Sequence, residues 1–140
     1  MPSKVALSRE YDLLAVAANL EEVAGAFVGG LVCVERRGRP WRIEALIEVT
    51  PTSVTTGGGY IYDLATGQPQ FETGSFCLRP LTREKLDYLI LAEGLRVADK
   101  LKPNELKLAE RAELMPAARA LLDLYTRMRD RERQPVHGSG

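Results

Sequence analysis

The spacing of apolar residues changes twice along this chain, and these two changes limit the folds that it can adopt. Apolar residues recur at helical spacing up to about residue 30, alternate or cluster as in β-strands from residue 31, and return to helical spacing after Pro80. The middle segment contains about five short β-rich runs, which are separated by turns rich in Gly, Pro and Asp. The sequence therefore predicts an α+β fold in which a sheet lies between two helical segments.

Short strands that follow each other closely are typical of a curled antiparallel sheet, so we expect an SH3-like or partly open barrel of about five strands. An N-terminal helix is predicted within residues 8–27, where Ser8 can act as the N-cap. C-terminal helices are expected to pack on the sheet. The length predicts a single α+β domain over residues 1–134, and residues 135–140 are expected to form a disordered tail.

The C-terminal helices have recognisable boundaries. Thr82 is a predicted N-cap, and Pro103 and Pro116 are each expected to end one helix and begin the next. The last of these helices carries an apolar seam, formed by Ala118, Leu121, Leu122, Tyr125 and Met128. The basic run RMRDRER at residues 127–133 is typical of a helix C-terminus, which the helix dipole makes favourable for cations.

Residues 41–50 alternate between apolar and polar side chains, and Leu46 is the one exception. This pattern predicts a strand with one buried face. The predicted core face consists of Trp41, Ile43, Ala45, Ile47 and Val49. Glu44 and Glu48 fall on the opposite face, where we expect a solvated pair of carboxylates rather than an acid–base pair, because such a pair needs burial to separate its pKa values.

The stretch RRGRPWR at residues 36–42 places four arginines around the only tryptophan of the chain. It is predicted to form the tip of a β-hairpin, in which Gly38 can supply a positive φ. The candidate partner-binding residues are Arg36, Arg37, Arg39, Arg42 and Trp41. Three interpretations are open: a contact with a protein partner, a nucleic-acid contact with Trp41 as a stacking platform, and a simple soluble turn. Because Trp41 falls on the predicted core face, a core role is favoured for it.

Catalytic signatures are scarce. The only histidine, His137, lies in the predicted tail, and the glycine-rich TTGGGY at residues 55–60 lacks the Lys-Ser/Thr pair and the following helix of a phosphate loop. Cys33 and Cys77 are expected to be buried thiols rather than a disulfide, and too few Cys and His are available for a structural zinc. We therefore expect a non-enzymatic protein without cofactor or metal. An enzyme or ligand site around Tyr60 and Tyr62 is the least favoured alternative.

The charge balance limits the choice of partners. Nineteen basic and nineteen acidic residues cancel, so no overall field attracts the chain to DNA or to an anionic membrane, and a nucleic-acid contact would have to be local. The sequence contains no apolar run long enough to cross a membrane and no apolar signal segment near its start. We expect a cytoplasmic protein with no membrane partner.

Within residues 41–86 the sequence resembles small phage-type β-barrel proteins. They share a Val-Thr-x-Thr-x-Val-Thr run, an aromatic strand, a Thr-Gly turn and an Arg-Pro-Leu-Thr segment that opens a helix. The matching residues are Val49, Thr50, Thr52, Val54, Thr55, Thr66, Gly67, Arg79, Pro80, Leu81 and Thr82. The layout is similar to that of a small transcription factor of a thermophile bacteriophage, which binds the host RNA polymerase at the β-subunit flap.

This resemblance implies a partner but assigns no contact residues. The predicted function is a regulatory module that binds a protein, with host RNA polymerase as the candidate partner, modulation of transcription as the outcome and the host cytoplasm as the location. The alternative is a nucleic-acid-binding protein that uses the Arg36–Arg42 hairpin.

Overall fold

The computed structural model describes residues 13–18, 26–70 and 76–133. Contacts divide the chain into two units, Met1–Arg96 and Val97–Gly140. The five strands are β1 (Leu31–Arg36), β2 (Arg39–Val49), β3 (Ser53–Thr56), β4 (Ile61–Asp63) and β5 (Phe76–Pro80). The helices are α1 (Arg83–Ala98) and α2 (Leu108–Arg133), and single 3-10 turns occupy Leu13–Val16 and Pro103–Glu105.

The strands form one antiparallel sheet in the order β4-β3-β2-β1-β5. The sheet curls into a half-barrel, so the predicted α+β class with a curled five-strand sheet is confirmed. The loop after β4 reaches the opposite edge strand, where the amide of Leu78 donates a 2.7 Å hydrogen bond to the carbonyl of Gly67. Gly67 has a φ of 74°, and a Cβ there would collide with the carbonyl of Leu78. Glycine is therefore required where the two ends of the sheet meet.

Each face of the sheet carries a hydrophobic core. The inner core spans all five strands and contains Ala18, Ala26, Val32, Val34, Leu46, Val54, Tyr62 and Leu78. The helix-side core lies between β1, β2 and α1 and contains Leu13, Leu31, Cys33, Ile43, Leu81, Leu86 and Leu89. Successive residues of β1 alternate between these two cores, which explains why its LVCV segment is apolar without interruption.

Two β-bulges in β2 overturn the predicted strand faces. The pairing with β1 moves from Arg42 to Pro40 and skips Trp41, and the pairing with β3 moves from Leu46 to Glu48 and skips Ile47. An extra residue in one strand breaks the two-residue alternation. As a result, Trp41 and Ile47 are exposed, although both were predicted to lie in the core.

The bulges also change which core the other residues of β2 face. Ile43 is buried in the helix-side core, as predicted, whereas Leu46, the apparent exception to the pattern, is buried in the inner core. Beyond the second bulge, Val49 packs against the inner core instead of the face of Ile43. Glu44 was predicted to be solvated and is instead 1% exposed.

Helix α1 begins where the sequence predicts. The amide of Lys85 donates to the Thr82 hydroxyl at 3.3 Å, which confirms Thr82 as the N-cap. Leu86 and Leu89 anchor the helix in the helix-side core, and Lys85 forms a 2.8 Å ion pair with Glu35 of β1. These contacts hold the first turns of α1 against the sheet within the first unit.

Helix α2 belongs to the second unit. Its first turn is capped by Glu110, whose Oε1 accepts a 2.8 Å hydrogen bond from the amide of Lys107. The helix runs without interruption through Pro116, so the prediction that a new helix begins there is wrong. Pro116 cannot donate a hydrogen bond to the carbonyl of Ala112, but Ala112 is exposed and water can satisfy that carbonyl. Every residue of α2 is exposed.

Most of the predicted N-terminal helix and residues 134–140 of the predicted C-terminal end lie outside the described residues. Within residues 13–18 the structure has a 3-10 turn followed by a bridge from Ala17 to Leu31.

Candidate functional site

The tip of the β1–β2 hairpin is a tight two-residue turn. Arg36 pairs with Arg39 across the hairpin, and the two residues between them, Arg37 and Gly38, have φ values of 55° and 78°. Two consecutive positive φ values define a type I′ turn, whose twist matches that of the flanking strands. The prediction of a hairpin tip with a positive φ at Gly38 is confirmed.

The turn presents three arginines to solvent. Arg36, Arg37 and Arg39 are all exposed. Within the described part of the chain, none of the three forms an ion pair with a carboxylate. The tip is therefore a concentrated positive charge on a protein whose formal net charge is zero.

Trp41 lies just behind this tip, at the first bulge, and is 36% exposed. The guanidinium of Arg42 lies over its ring at 4.0 Å from the centroid, and that of Arg36 lies at 5.6 Å. Its ring centroid is 5.1 Å from that of Phe76 on β5. Trp41 is therefore a half-buried ring that already contacts cations and another aromatic ring.

Phe76 continues this contact into a row of four rings, which we call the aromatic row: Trp41, Phe76, Tyr60 and Tyr62. The ring centroids of Phe76 and Tyr60 are 5.9 Å apart, and those of Tyr60 and Tyr62 are 6.4 Å apart. Tyr60 precedes β4 and Phe76 begins β5, so the row crosses between the two edge strands. Stacked and tilted aromatic pairs at these distances stabilise a surface beyond simple area burial. The row joins the base of the hairpin to both edge strands through ring contacts.

A buried ion pair lies below the aromatic row. Arg42 Nε pairs with Glu44 Oε2, and the side chains of these residues are 20% and 1% exposed. The two residues are two positions apart on one strand, so they project from the same face. This ion pair neutralises Arg42, whereas the other three arginines of the hairpin keep their free charge.

The glycine-rich loop between β3 and β4 closes over this ion pair. A Cβ at Gly58 would lie 2.9 Å from both carboxylate oxygens of Glu44 and 3.0 Å from Arg42 Nη2. The amide of Gly59 donates to the carbonyl of Thr56 at 2.9 Å, and Gly59 has a φ of 89°. The loop is thus a tight connection between β3 and β4, and Gly58 allows the backbone to approach the ion pair closely.

Three buried polar side-chain atoms have no hydrogen-bond partner among the described residues: Arg42 Nε, which is nevertheless ion-paired with Glu44, Glu44 Oε1 and Thr56 Oγ1. The negative charge of Glu44 also affects the pKa of Tyr62. Burial, reinforced by the negative charge of Glu44, raises the pKa of the Tyr62 phenol to about 12. Tyr62 is therefore a neutral core residue at physiological pH, which fits a structural role.

The two cysteines are both free. Cys33 is fully buried, and burial raises the pKa of its thiol to about 11. Cys77 is half-buried, and desolvation raises its pKa as well. Full burial was predicted for both thiols and is confirmed only for Cys33.

The structure brings all five predicted partner-binding residues together on the β1–β2 hairpin. Sequence reasoning missed three further residues that support them: Glu44, Gly58 and Phe76. The spacing of Arg42 and Glu44 is the signal that could have revealed the ion pair, since residues two apart on a strand share a face.

Compared with known proteins, the chain matches no family model, no curated protein and no solved structure. Across the described residues, no group of three or more His, Cys, Asp or Glu side chains is arranged to hold a metal ion. Neither α1 nor α2, the long helices of the described part, combines the length and the apolar character that crossing a membrane requires.

Proposed function

We propose that this chain is a non-enzymatic regulatory module that binds an acidic surface of a protein partner through its arginine hairpin. The observation that carries the proposal is the group of three exposed arginines, without an ion-pair partner among the described residues, on a tight turn beside the half-exposed Trp41. Arginine and tryptophan are enriched among the residues that dominate protein–protein binding energies.

The turn itself supports a role beyond folding. Arg37 is the one non-glycine residue with a positive φ in the described part of the chain. A side chain other than glycine, asparagine or aspartate in that conformation costs about 1–2 kcal/mol. Arg36 directly opposite Arg39 adds a like-charge repulsion across the hairpin. A turn selected only for stability would carry Asn-Gly and unlike charges, so these arginines fit a binding role.

The surroundings of Trp41 favour a protein partner over nucleic acid. A base that stacks on Trp41 would have to displace Arg42 or Phe76, which already contact the ring. Arg42 is neutralised by Glu44 and so offers little to a phosphate. A protein partner needs only the exposed edge of Trp41 and the three free arginines, and the zero net charge provides no long-range attraction to DNA.

The finer proposal concerns the identity of the partner. The resemblance of residues 41–86 to small phage-type β-barrel proteins supports host RNA polymerase as the partner and modulation of transcription as the outcome. This identity rests on the sequence resemblance, whereas the location of the contact surface rests on the hairpin.

A charge reversal with a matched control tests the contact surface. The test variant is Arg36→Glu, Arg37→Glu and Arg39→Glu; the control is Lys100→Glu, Lys102→Glu and Lys107→Glu, three exposed lysines of the second unit. Both variants change the net charge equally, so a difference between them reports position and not total charge. Binding of each to bacterial RNA polymerase and to mixed-sequence duplex DNA is measured over a range of salt concentrations.

We expect the wild-type protein and the lysine control to bind the polymerase, and the arginine variant to lose most of that binding. If the wild-type protein instead binds DNA with a steep salt dependence, and the arginine variant does not, the nucleic-acid alternative replaces our proposal. If the polymerase binds none of the three proteins, its identity as the partner is wrong. If it binds all three equally, the hairpin is not the contact surface.

A further inference from the structure

We infer that Glu44 is a positioning residue, which holds the ring of Trp41 in its binding orientation through the side chain of Arg42. The consequence for binding rests on the function proposed above, whereas the positioning is a property of the free protein. The inference starts from a double contact: the guanidinium of Arg42 lies over the ring of Trp41 and is also paired with the carboxylate of Glu44.

The first β-bulge makes this double contact possible. In a regular strand, residues 41 and 42 would project from opposite faces. The pairing with β1 moves from Arg42 to Pro40 and leaves Trp41 without a partner position on β1. A bulge of this kind re-aims a side chain, and the guanidinium carbon of Arg42 lies 4.0 Å from the centroid of the Trp41 ring. The bulge thus brings the tryptophan within reach of the ion pair.

The shape of a guanidinium suits both contacts. Its flat face stacks on an aromatic ring, while the N–H groups at its edge can still pair with a carboxylate. Arg42 uses Nε for the ion pair with Glu44. A long side chain loses rotamer freedom when it is held in one orientation, and this loss must be offset by its contacts. Pairing with a side chain that is only 1% exposed supplies such a contact and keeps Arg42 over the ring.

Stability alone does not explain a carboxylate at position 44. A buried ion pair usually stabilises a fold no better than apolar residues of similar volume. Glu44 lies on the inner face of β2 together with the buried Leu46, and its Oε1 has no hydrogen-bond partner among the described residues. An apolar residue would avoid this desolvation cost. What the carboxylate adds is one fixed orientation for Arg42.

The loop between β3 and β4 is fitted to the same ion pair. Gly58 does not have the positive φ that favours glycine, so its backbone conformation is compatible with a side chain. A Cβ there would nevertheless lie 2.9 Å from both carboxylate oxygens of Glu44 and 3.0 Å from Arg42 Nη2. Glycine at this position leaves room for the ion pair. This fit is independent support for a role of its exact geometry.

Fluorescence of the free protein tests the positioning, because Trp41 is the only tryptophan of the chain. Glu44→Gln removes the charge and keeps the size of the side chain. Gly58→Ala displaces the ion pair and leaves every charge in place. In both variants Arg42 can turn towards water and uncover the ring. We therefore expect the emission of both to move to longer wavelength and acrylamide to quench it faster than in the wild type.

Two controls separate positioning from general effects on charge and stability. Glu48→Gln makes the same change of charge at an exposed position of the same strand, and Leu89→Ala removes a side chain from the helix-side core. Neither should alter the fluorescence of the folded protein. If Glu44→Gln and Gly58→Ala also leave the emission and quenching of Trp41 unchanged, the inference is wrong. Should Glu44→Gln fail to fold, Gly58→Ala decides the outcome.

Binding to bacterial RNA polymerase separates positioning from a simple effect of charge. If Glu44 only masked the charge of Arg42, Glu44→Gln would bind an acidic partner more tightly than the wild type. A positioning role predicts the opposite, since Trp41 must then be ordered during binding. Ordering one side chain weakens binding by roughly 2- to 10-fold, and we expect this loss for Glu44→Gln and Gly58→Ala but not for Glu48→Gln.

The outcomes distinguish this inference from the function on which it rests. Tighter binding by Glu44→Gln, or unchanged binding by both test variants, would show that the orientation of Trp41 does not serve binding and would overturn that part of the inference. If the polymerase binds neither the wild type nor any variant, the proposed partner is wrong. The fluorescence of Trp41 then still decides whether Glu44 positions the ring.

Discussion

The sheet of the first unit and helix α2 of the second obtain their stability in different ways. Every buried hydrophobic residue in the described part of the chain lies between Leu13 and Leu89, and all of these residues pack into the two cores on either side of the sheet. Helix α2 has a regular apolar seam and no buried residue. The buried residues of the first unit thus account for its fold, whereas α2 has no core of its own within the second unit.

This difference agrees with the role proposed for the hairpin. A binding hairpin must hold its arginines in place before the partner arrives, and on β2 the side chains of Trp41 and Arg42 are each fixed by contacts with the aromatic row and with Glu44.

The largest expected contrast comes from truncating leucines in the two regions. Leu46→Ala removes a side chain that is 1% exposed in the inner core, and it should lower the free energy of unfolding by about 3–4 kcal/mol. Leu122→Ala on α2 should change the unfolding of the sheet by less than about 0.5 kcal/mol. Urea denaturation measures both values. Similar losses for the two variants would show that α2 and the sheet unfold together.

The second prediction concerns the buried ion pair. Glu44→Ala leaves the charge of Arg42 without its partner, and we expect a loss of about 3 kcal/mol. This lies at the lower end of the usual range because the Arg42 side chain keeps 20% of its exposure and can still reach water. Glu48→Ala, an exposed carboxylate of the same strand, is the control and should be nearly neutral. Equal effects would mean that Glu44 is solvated after all.

High pH should destabilise the sheet through Cys33. Burial raises the pKa of its thiol from 9.0 to about 11, so the folded state favours the neutral form. The stabilisation is therefore complete below pH 9 and is lost as the pH rises from 9 to 11, which amounts to about 1 kcal/mol at pH 10. The unfolding free energy of Cys33→Ala should fall less steeply over this interval. If both proteins show the same slope, the thiol is not desolvated in the folded state.

The smallest expected effect is a gain in stability. Asparagine tolerates a positive φ better than arginine, so Arg37→Asn should stabilise the protein by up to about 1 kcal/mol. The same variant should bind its protein partner more weakly, because one of the three free arginines is lost. A stabilised protein that binds as well as the wild type would show that Arg37 serves only the turn.

The sequence was a good guide to the strands, to the hairpin tip and to the N-cap at Thr82, because each depends on a local pattern. It was a poor guide to the faces of β2. Alternation predicted Trp41 and Ile47 in the core, but a bulge has no side-chain signature of its own, and a single extra residue reverses the faces beyond it. The bulges are set by pairing with β1 and β3, which the sequence of β2 alone does not contain.

In the candidate site, too, the features set by local sequence were predicted, and those set by distant parts of the chain were not. The five residues of the arginine hairpin were found from composition and turn chemistry. The burial of Glu44 was missed because it depends on the Gly58 loop, which approaches from a distant part of the chain. Pro116 was misread as a helix boundary because proline usually interrupts a helix, whereas α2 continues on both sides of an exposed position.

Amide hydrogen exchange tests most directly whether the two cores of the first unit hold the sheet together while α2, which has no buried residue, lacks such support. We expect the amides of β1 and β2 to be protected and those of residues 117–129 to exchange rapidly. If α2 is as well protected as the sheet, its apolar seam is covered in solution, and our account of α2 is wrong.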